Sequence, residues 1–420
     1  LANRKTIMST QTLPDMFRAF GRIGLLSFGG PAAQIAIMHE ELVERRRWLT
    51  EDQFLRALSL CMLLPGPEAM QLATYAGWRI RGVFGGLLAG LLFVVPGALV
   101  IFALAFAYIS YGQVPLVKAA FVGIKAAVII VVLQALLRLG NKALGTNSAC
   151  VLAGLAFVAL FAFGLPFPLI IAFAAIYGYV TSKADSATTA PVHIPAGQTL
   201  RTVLIWSALW ATPMLMLWLL QADFLIQLGL FFSKLAVVTF GGAYAVLAYM
   251  SQTVLQDYGW VTSGQMIDAL GLAETTPGPL ILVTEFVAIL AGAANGGIGL
   301  AIAAGLLALW VTFTPCFLWI FAAGPYIETL TSRPRLSAAL SAITAAVVGV
   351  ILNLSIWFAL HVIFDQVNNC GAMPLPAFSS INVIATILTI GAAILMLRFK
   401  LGLVTTMGVM ALAGMGLSLL

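Results

Sequence analysis

The sequence predicts an all-α polytopic membrane protein made of two inverted-topology repeats. The expectation is about nine full crossings plus four broken or re-entrant segments, or about 13 crossings if those segments span. Three observations predict it. The 420 residues are 61% apolar and only 9% charged, with a mean hydropathy of +1.04. Stretches such as 82–110 carry no charge at all. A second copy of the pattern around Phe28 returns 212 residues later, with no basic residue in its flanking loop.

The composition excludes a soluble domain, which is about 45–50% apolar and about 25% charged. The apolar runs exceed the roughly 20 residues needed to cross the hydrocarbon core as a helix. A β-barrel would show short alternating segments instead. Cys61, Cys150, Cys316 and Cys370 are far apart, as are His39, His193 and His361. Neither set has the spacing of a metal or redox motif, so no metal or cofactor is expected. The absence of a His/Asp, Ser/Lys or metal constellation argues against an enzyme. The net charge of +6 reads as a topology signal, with no nucleic-acid partner implied. The opening LANRKTIMSTQTLPDMFRAF is polar and basic, unlike a cleavable signal peptide.

At a shift of 212, SFGGPAAQIAIM (27–38) lies on TFGGAYAVLAYM (239–250), and Pro65-Gly66-Pro67 on Pro277-Gly278-Pro279. Between Phe28 and Pro67, 15 of 40 positions are identical without a gap. After a seven-residue change of offset, KAAFVGIKAAVIIVVLQ (118–134) matches SAALSAITAAVVGVILN (337–353). The expected organisation is a first repeat over 14–182, a second over 224–420, and a connecting segment over 183–223. That segment combines an exposed polar loop with one extra apolar span at 202–220.

Charge sets the orientation. Residues 1–200 hold 15 of the 21 Lys and Arg. The loop HEELVERRRW (39–48) is basic, and its copy SQTVLQDYGW (251–260) has no basic residue. Basic loops stay cytoplasmic, so the two copies face opposite sides. The extra span supplies the odd number of crossings that inversion requires. This makes the N-terminus cytoplasmic and places the C-terminus on the opposite, periplasmic side. Inverted repeats characterise secondary transporters, whose substrate site lies near the midplane between the copies.

Each repeat contains two breaks. FGG (Phe28, Gly29, Gly30, followed by Pro31; Phe240, Gly241, Gly242) interrupts one apolar segment. PGP (Pro65, Gly66, Pro67; Pro277, Gly278, Pro279) separates two arms of about 12 residues, each roughly 18 Å long. A re-entrant hairpin is the preferred reading of these arms, a single kinked crossing the alternative. Proline ends the preceding helix, and the arm that follows presents N–H groups and a positive dipole end. Such ends bind phosphate- or sulfate-like groups, so a small anion is the expected substrate. Ser27 and Thr239 precede the FGG breaks, and Arg22 and Lys234 lie upstream as groups that attract an anion. Glu68 and Gln71 follow the first PGP; Glu274, Thr275 and Thr276 precede the second. Glu68, Glu274 and Glu285 are the candidates for a coupling proton.

These residues carry a resemblance. LLSFGGPAAQIAIMHEELVERRRWLTEDQFLRAL and LLPGPEAMQLATYAGW within 25–78, with FFSKLAVVTFGGAYAVLAYM (231–250) and TTPGP (275–279), resemble the chromate ion transporter family in its long, two-domain form. The resemblance implies a carrier of the bacterial inner membrane that exports chromate, is driven by the proton motive force and confers chromate resistance. Transport of sulfate or a related oxyanion, and an anion channel, are the alternatives. The partners it implies are chromate, with sulfate as a second substrate, and the lipid bilayer; a homodimer is compatible with it. One departure is internal: Pro31 follows the first FGG, whereas Ala243 follows the second.

Overall fold

The computed structural model describes residues 11–182, 196–240, 242–331, 333–370 and 373–418. Gly241 and most of the expected polar loop, 183–195, lie outside the described residues. The first half of the chain forms α1 (Leu13–Leu26), α2 (Gly30–His39), α3 (Glu51–Leu63), α4 (Glu68–Tyr111), α5 (Pro115–Ala143), α6 (Asn147–Phe161) and α7 (Phe167–Thr181). After α8 (Ala196–Leu219), the second half forms α9 (Asp223–Val238), α10 (Ala243–Gln252), α11 (Ser263–Thr275), α12 (Val283–Ala323), α13 (Ile327–Thr331), α14 (Pro334–Ile363), α15 (Val383–Ala393) and α16 (Leu403–Leu417). A short antiparallel hairpin, β1 (Val367–Cys370) with β2 (Met373–Pro376), is the exception to an all-helical chain among the described residues.

Local sequence explains the element boundaries. Thr12, Thr50, Thr146 and Asn382 each accept a backbone N–H at a helix start, and Thr50 forms a full capping box with Gln53. Both long stretches α4 and α12 fold back on themselves. In α4 the reversal is at Arg81 and Gly82 (φ 63°, ψ −156°); in α12 it is at Gly296 and Gly297 (φ 74°, ψ −162°). Only glycine takes such a backbone without strain. A Cβ on Gly77 would lie 2.2 Å from the Gly85 carbonyl oxygen, and one on Gly292 2.6 Å from that of Leu300, so glycine lets the two arms of each hairpin touch.

Five stretches are long and apolar enough to cross a membrane: Glu68–Tyr111, Pro115–Ala143, Gly197–Leu219, Leu280–Tyr326 and Pro334–Ile363. Four shorter apolar helices run over Asn147–Phe161, Phe167–Thr181, Val383–Arg398 and Leu403–Leu417. The four shorter helices measure about 22–24 Å, less than the roughly 30 Å hydrocarbon core.

The chain forms two compact units, and each draws on both sequence repeats. The first comprises Leu1–Ala103, Ala184–Ala243 and Thr276–Pro334. In it α8 and α9 pack along α12, and α13 packs on α3. The second comprises Leu104–Lys183, Tyr244–Thr275 and Arg335–Leu420. Here α5 packs on α15, α16 and α11. Two of its close helix approaches are exchanged between repeats. A Cβ on Gly414 of α16 would lie 2.3 Å from the Ala119 carbonyl oxygen of α5; one on Gly178 of α7 would lie 2.4 Å from that of Ala338 in α14. Ala119 and Ala338 are equivalent in the two repeats, and Gly178 and Gly414 are each the twelfth residue of a 15-residue helix. Small residues permit this backbone contact between apolar helices.

Candidate functional site

The first unit gathers both PGP breaks and the described residues of both FGG breaks, and ties each break of one repeat to the other repeat. Helix α1 ends at Ser27 (φ −76°, ψ 68°) and α9 at Thr239 (φ −74°, ψ 88°). Both are centres of inverse γ-turns, closed by Phe28 N–H to Leu26 O at 2.9 Å and Phe240 N–H to Val238 O at 3.0 Å. Each hydroxyl turns back on its own helix, Ser27 Oγ to Ile23 O and Thr239 Oγ1 to Leu235 O, both at 2.5 Å. That leaves the Ser27 and Thr239 carbonyls for the PGP breaks. Gly66 N–H donates to Thr239 O, and Gly278 N–H donates to Ser27 O, each at 2.9 Å.

The PGP glycines are seated against the long helix of the opposite repeat. A Cβ on Gly66 would meet Cys316 Sγ at 3.0 Å and Gln71 Nε2 at 2.8 Å. On the other side Gly97 admits the second break: a Cβ there would lie 2.1 Å from Pro277 O. Gly97 follows Pro96 and Cys316 follows Pro315, so each break rests beside a proline inside the facing helix.

Two amides break the symmetry, both from the first repeat. Gln34 Nε2 donates to Gly278 O at 2.6 Å, and Gln71 Nε2 donates to Pro65 O at 2.6 Å. Valines, Val246 and Val283, stand at the equivalent positions of the second repeat. Gln34 is 1% exposed and Gln71 fully buried, with no hydrogen-bond partner for Gln71 Oε1 among the described residues. The sequence reading named Gln71 and missed Gln34, Gly97 and Cys316. The available signal for Gln34 was a lone amide in an otherwise apolar stretch, immediately after FGG.

The glycine N–H of each PGP is thus engaged with a carbonyl of the opposite repeat. The FGG break is the more open one. Gly29 (φ 84°), Gly30 (φ 81°) and Gly242 (φ 98°) all adopt the left-handed backbone that glycine favours. Helix α2 starts at this break without a side-chain cap, with Pro31 in its first turn. Phe28 and Gly29 are exposed, Gly30 and Pro31 half-buried, Phe240 and Gly242 half-buried. By contrast Gly66 and Pro67 are buried, Pro65 is half-buried, and Thr276, Pro277, Gly278 and Pro279 are buried. Glu68 is half-buried, and its Oε1 lies 4.0 Å from where a Cβ on Gly242 would be.

Arg22 is half exposed and lies 4.0 Å from Glu41, which also holds Arg45 at 3.0 Å and Arg46 at 2.6 Å. Burial works against the Glu41 charge, but Arg46, Arg45 and Arg22 together hold its carboxyl below the ordinary value. Lys234, at the equivalent position in α9, is exposed.

Glu274 and Thr275 belong to the second unit. Tyr244 donates its hydroxyl to Glu274 Oε1 at 2.5 Å, and Thr275 Oγ1 donates to Leu272 O. Six residues before Glu274 in the same helix, Asp268 accepts from Tyr108 at 2.8 Å and pairs with Lys125 at 3.3 Å. A Cβ on Gly264 would lie 3.3 Å from Lys125 Nζ, so this glycine makes room for the ammonium. Among the described residues no group of three His, Cys, Asp or Glu could hold a metal ion.

The profile of the family described as "Chromate transporter" matches this chain twice, over residues 14–179 and 226–415. The chain belongs to the chromate transporter family. It has the long two-domain form, about 420 residues with two family repeats. It is 30% identical over 374 residues to the "Chromate transport protein" of Cupriavidus metallidurans, covering 85% of each chain. It is 31% identical over 364 residues to the "Chromate transport protein" of Pseudomonas aeruginosa, covering 83% of this chain and 82% of the relative. A "Probable chromate transport protein" of Synechococcus elongatus is 29% identical over 351 residues, 81% of this chain and 83% of that one. No solved structure matches. The chain is therefore a multi-pass membrane transporter of the chromate transporter family.

Proposed function

We propose that this transporter exports chromate across the bacterial inner membrane, driven by the proton motive force, and so confers chromate resistance. The observation that carries the reading is the reciprocal clasp, Gly66 to Thr239 and Gly278 to Ser27. It joins four breaks from two copies in one compact unit, as expected where inverted repeats enclose a substrate site. The two repeats, bounded as 14–182 and 224–420, insert in opposite directions, with the N-terminus cytoplasmic and the C-terminus periplasmic. The names of the relatives favour chromate over other anions.

Within the site the roles divide. The PGP breaks latch each repeat to the other. The FGG breaks present the anion-binding surface, because α2 starts there uncapped and exposed at Gly29. A helix start offers N–H donors and a positive dipole end to a tetrahedral dianion. Arg22 and Lys234, both exposed on the helices leading to the two FGG breaks, raise the local anion concentration.

The test is chromate uptake into everted membrane vesicles. Vesicles with the protein should accumulate chromate when energised and lose it on addition of a protonophore. Pro67→Ala and Pro279→Ala should each abolish accumulation. Equal uptake with and without the protein would refute the reading. Complete suppression by equimolar sulfate would reassign the substrate to oxyanions at large, and uptake insensitive to the protonophore would indicate a channel.

A further inference from the structure

The arm that follows the second PGP break carries a carboxyl group with no partner. Glu285 is 1% exposed, and neither Oε1 nor Oε2 has a hydrogen-bond partner among the described residues. Its equivalent in the first repeat is Ala73, itself fully buried, so the packing of this arm does not require a carboxyl. The returning arm of the hairpin presses on it. A Cβ on Gly305 would lie 3.8 Å from Glu285 Cγ and 2.7 Å from Ile289 Cγ1. The same hairpin holds a second buried, unpartnered polar atom, Thr312 Oγ1.

The charged residues on the elements packed around α12 are Arg201 on α8, Asp223 and Lys234 on α9, and Glu68, Arg79 and Arg81 on α4. None bonds to Glu285. An ionised carboxylate in this enclosure has neither counter-charge nor donor to offset the loss of water. A protonated one does not carry that cost. The side chain can therefore release its proton only when the hairpin opens to water, which ties proton exchange to a change of conformation. Pro279 lies six residues upstream, at the end of the break whose Gly278 meets Ser27 and Gln34. Movement at that break reaches Glu285 along one short arm.

We propose that Glu285 is the proton-binding group that couples a pH gradient to anion movement. The inference rests on the reading of the protein as a proton-motive-force-driven chromate exporter. The experiment reconstitutes the full chain in liposomes and measures two activities. One is chromate accumulation into an acidified lumen; the other is exchange of labelled for unlabelled chromate without any pH gradient. The unaltered protein is expected to do both. Glu285→Gln should keep exchange, which also reports that it is folded, and should lose gradient-driven accumulation to the level of protein-free liposomes. Glu285→Asp should retain both activities. Glu285→Gln that accumulates chromate like the unaltered protein, or that loses exchange while Glu285→Asp keeps it, would overturn the assignment. Exchange without gradient-driven accumulation in the unaltered protein would refute the driving force, and absence of both would refute the substrate.

Discussion

Gly278 donates its N–H to the carbonyl of Ser27 at 2.9 Å, and the equivalent Gly66 does the same to Thr239 at the same distance. A backbone bond repeated in both directions between two copies is a register lock: neither PGP loop can slide without breaking its own bond. Each lock has an amide beside it, but Gln34 Nε2 reaches Gly278 O across the two repeats, whereas Gln71 Nε2 bonds Pro65 O within its own loop. The two halves of the clasp are therefore unequal in their side-chain support, one bridged between the repeats and the other braced within a single loop.

Gln34→Leu tests that inequality. It removes a buried donor and leaves the Gly278 carbonyl short of one partner, a change worth about 1–3 kcal/mol. Thermal unfolding of the purified protein in detergent should shift downward. Val237→Leu, at a 39% exposed position of α9, is the control and should leave the transition within about 0.5 kcal/mol of the original. Equal shifts for the two would contradict the contribution of Gln34.

Gly97→Val addresses the seat of the second break. The first added carbon would lie 2.1 Å from Pro277 O, a backbone atom that cannot swing aside. Overpacking of this kind typically costs about 1–3 kcal/mol, and more where backbone must move. The expected result is a lower unfolding temperature together with loss of chromate uptake. Gly154→Val, where a Cβ meets nothing within 4 Å, is the control that should leave both unchanged.

The FGG and PGP breaks were legible in the sequence because they recur without a gap, so one shift exposes four motifs at once. The match of α5 to α14 survived a change of offset for the same reason; both begin with proline, Pro115 and Pro334. The reversals at Gly82 and Gly297 were not legible, since a glycine inside an apolar run is as compatible with a straight helix as with a hairpin. Nor was the kinship of α6 and α7 with α15 and α16. The β1–β2 hairpin separates them from α14, and nearly uniform apolar helices retain little sequence identity to align. Gln34 escaped notice because its meaning lies in Gly278, 244 residues away, which no local pattern reveals. Charge was read correctly as scarce, but partners such as Glu41 for Arg22 depend on the path of the loop between α2 and α3.

The pair Lys125–Asp268 should behave as a unit. Asp268 is 4% exposed, accepts from Tyr108 and lies 3.3 Å from Lys125. Asp268→Leu alone leaves a largely buried ammonium without its counter-charge, and breaking buried pairs costs about 3–5 kcal/mol. The double change Asp268→Leu with Lys125→Met removes both charges and should recover most of that loss. The measurement is the yield of monodisperse protein after extraction and its unfolding temperature. A double variant no better than Asp268→Leu would show that the two residues are not coupled.

His39 supplies a pH dependence at the loop between α2 and α3. Its ring meets Glu51 at 2.7 Å and Glu44 at 3.2 Å. The hydrogen bond to Glu51, opposed by partial burial and aided by the charges of Glu51 and Glu44, raises its pKa above the ordinary 6.5. The folded loop thus holds the proton more tightly than the unfolded chain. Its stabilisation is complete below about pH 6.5 and disappears as pH rises through the higher folded value. Hydrogen exchange of amides 39–51 should accordingly show more protection at pH 6 than at pH 8.5, after correction for the intrinsic exchange rate. His39→Asn should remove the difference, while exchange in α5, which contains no histidine, should show none. Protection that rises with pH, or a difference that persists in His39→Asn, would rule out this histidine as the titrating group.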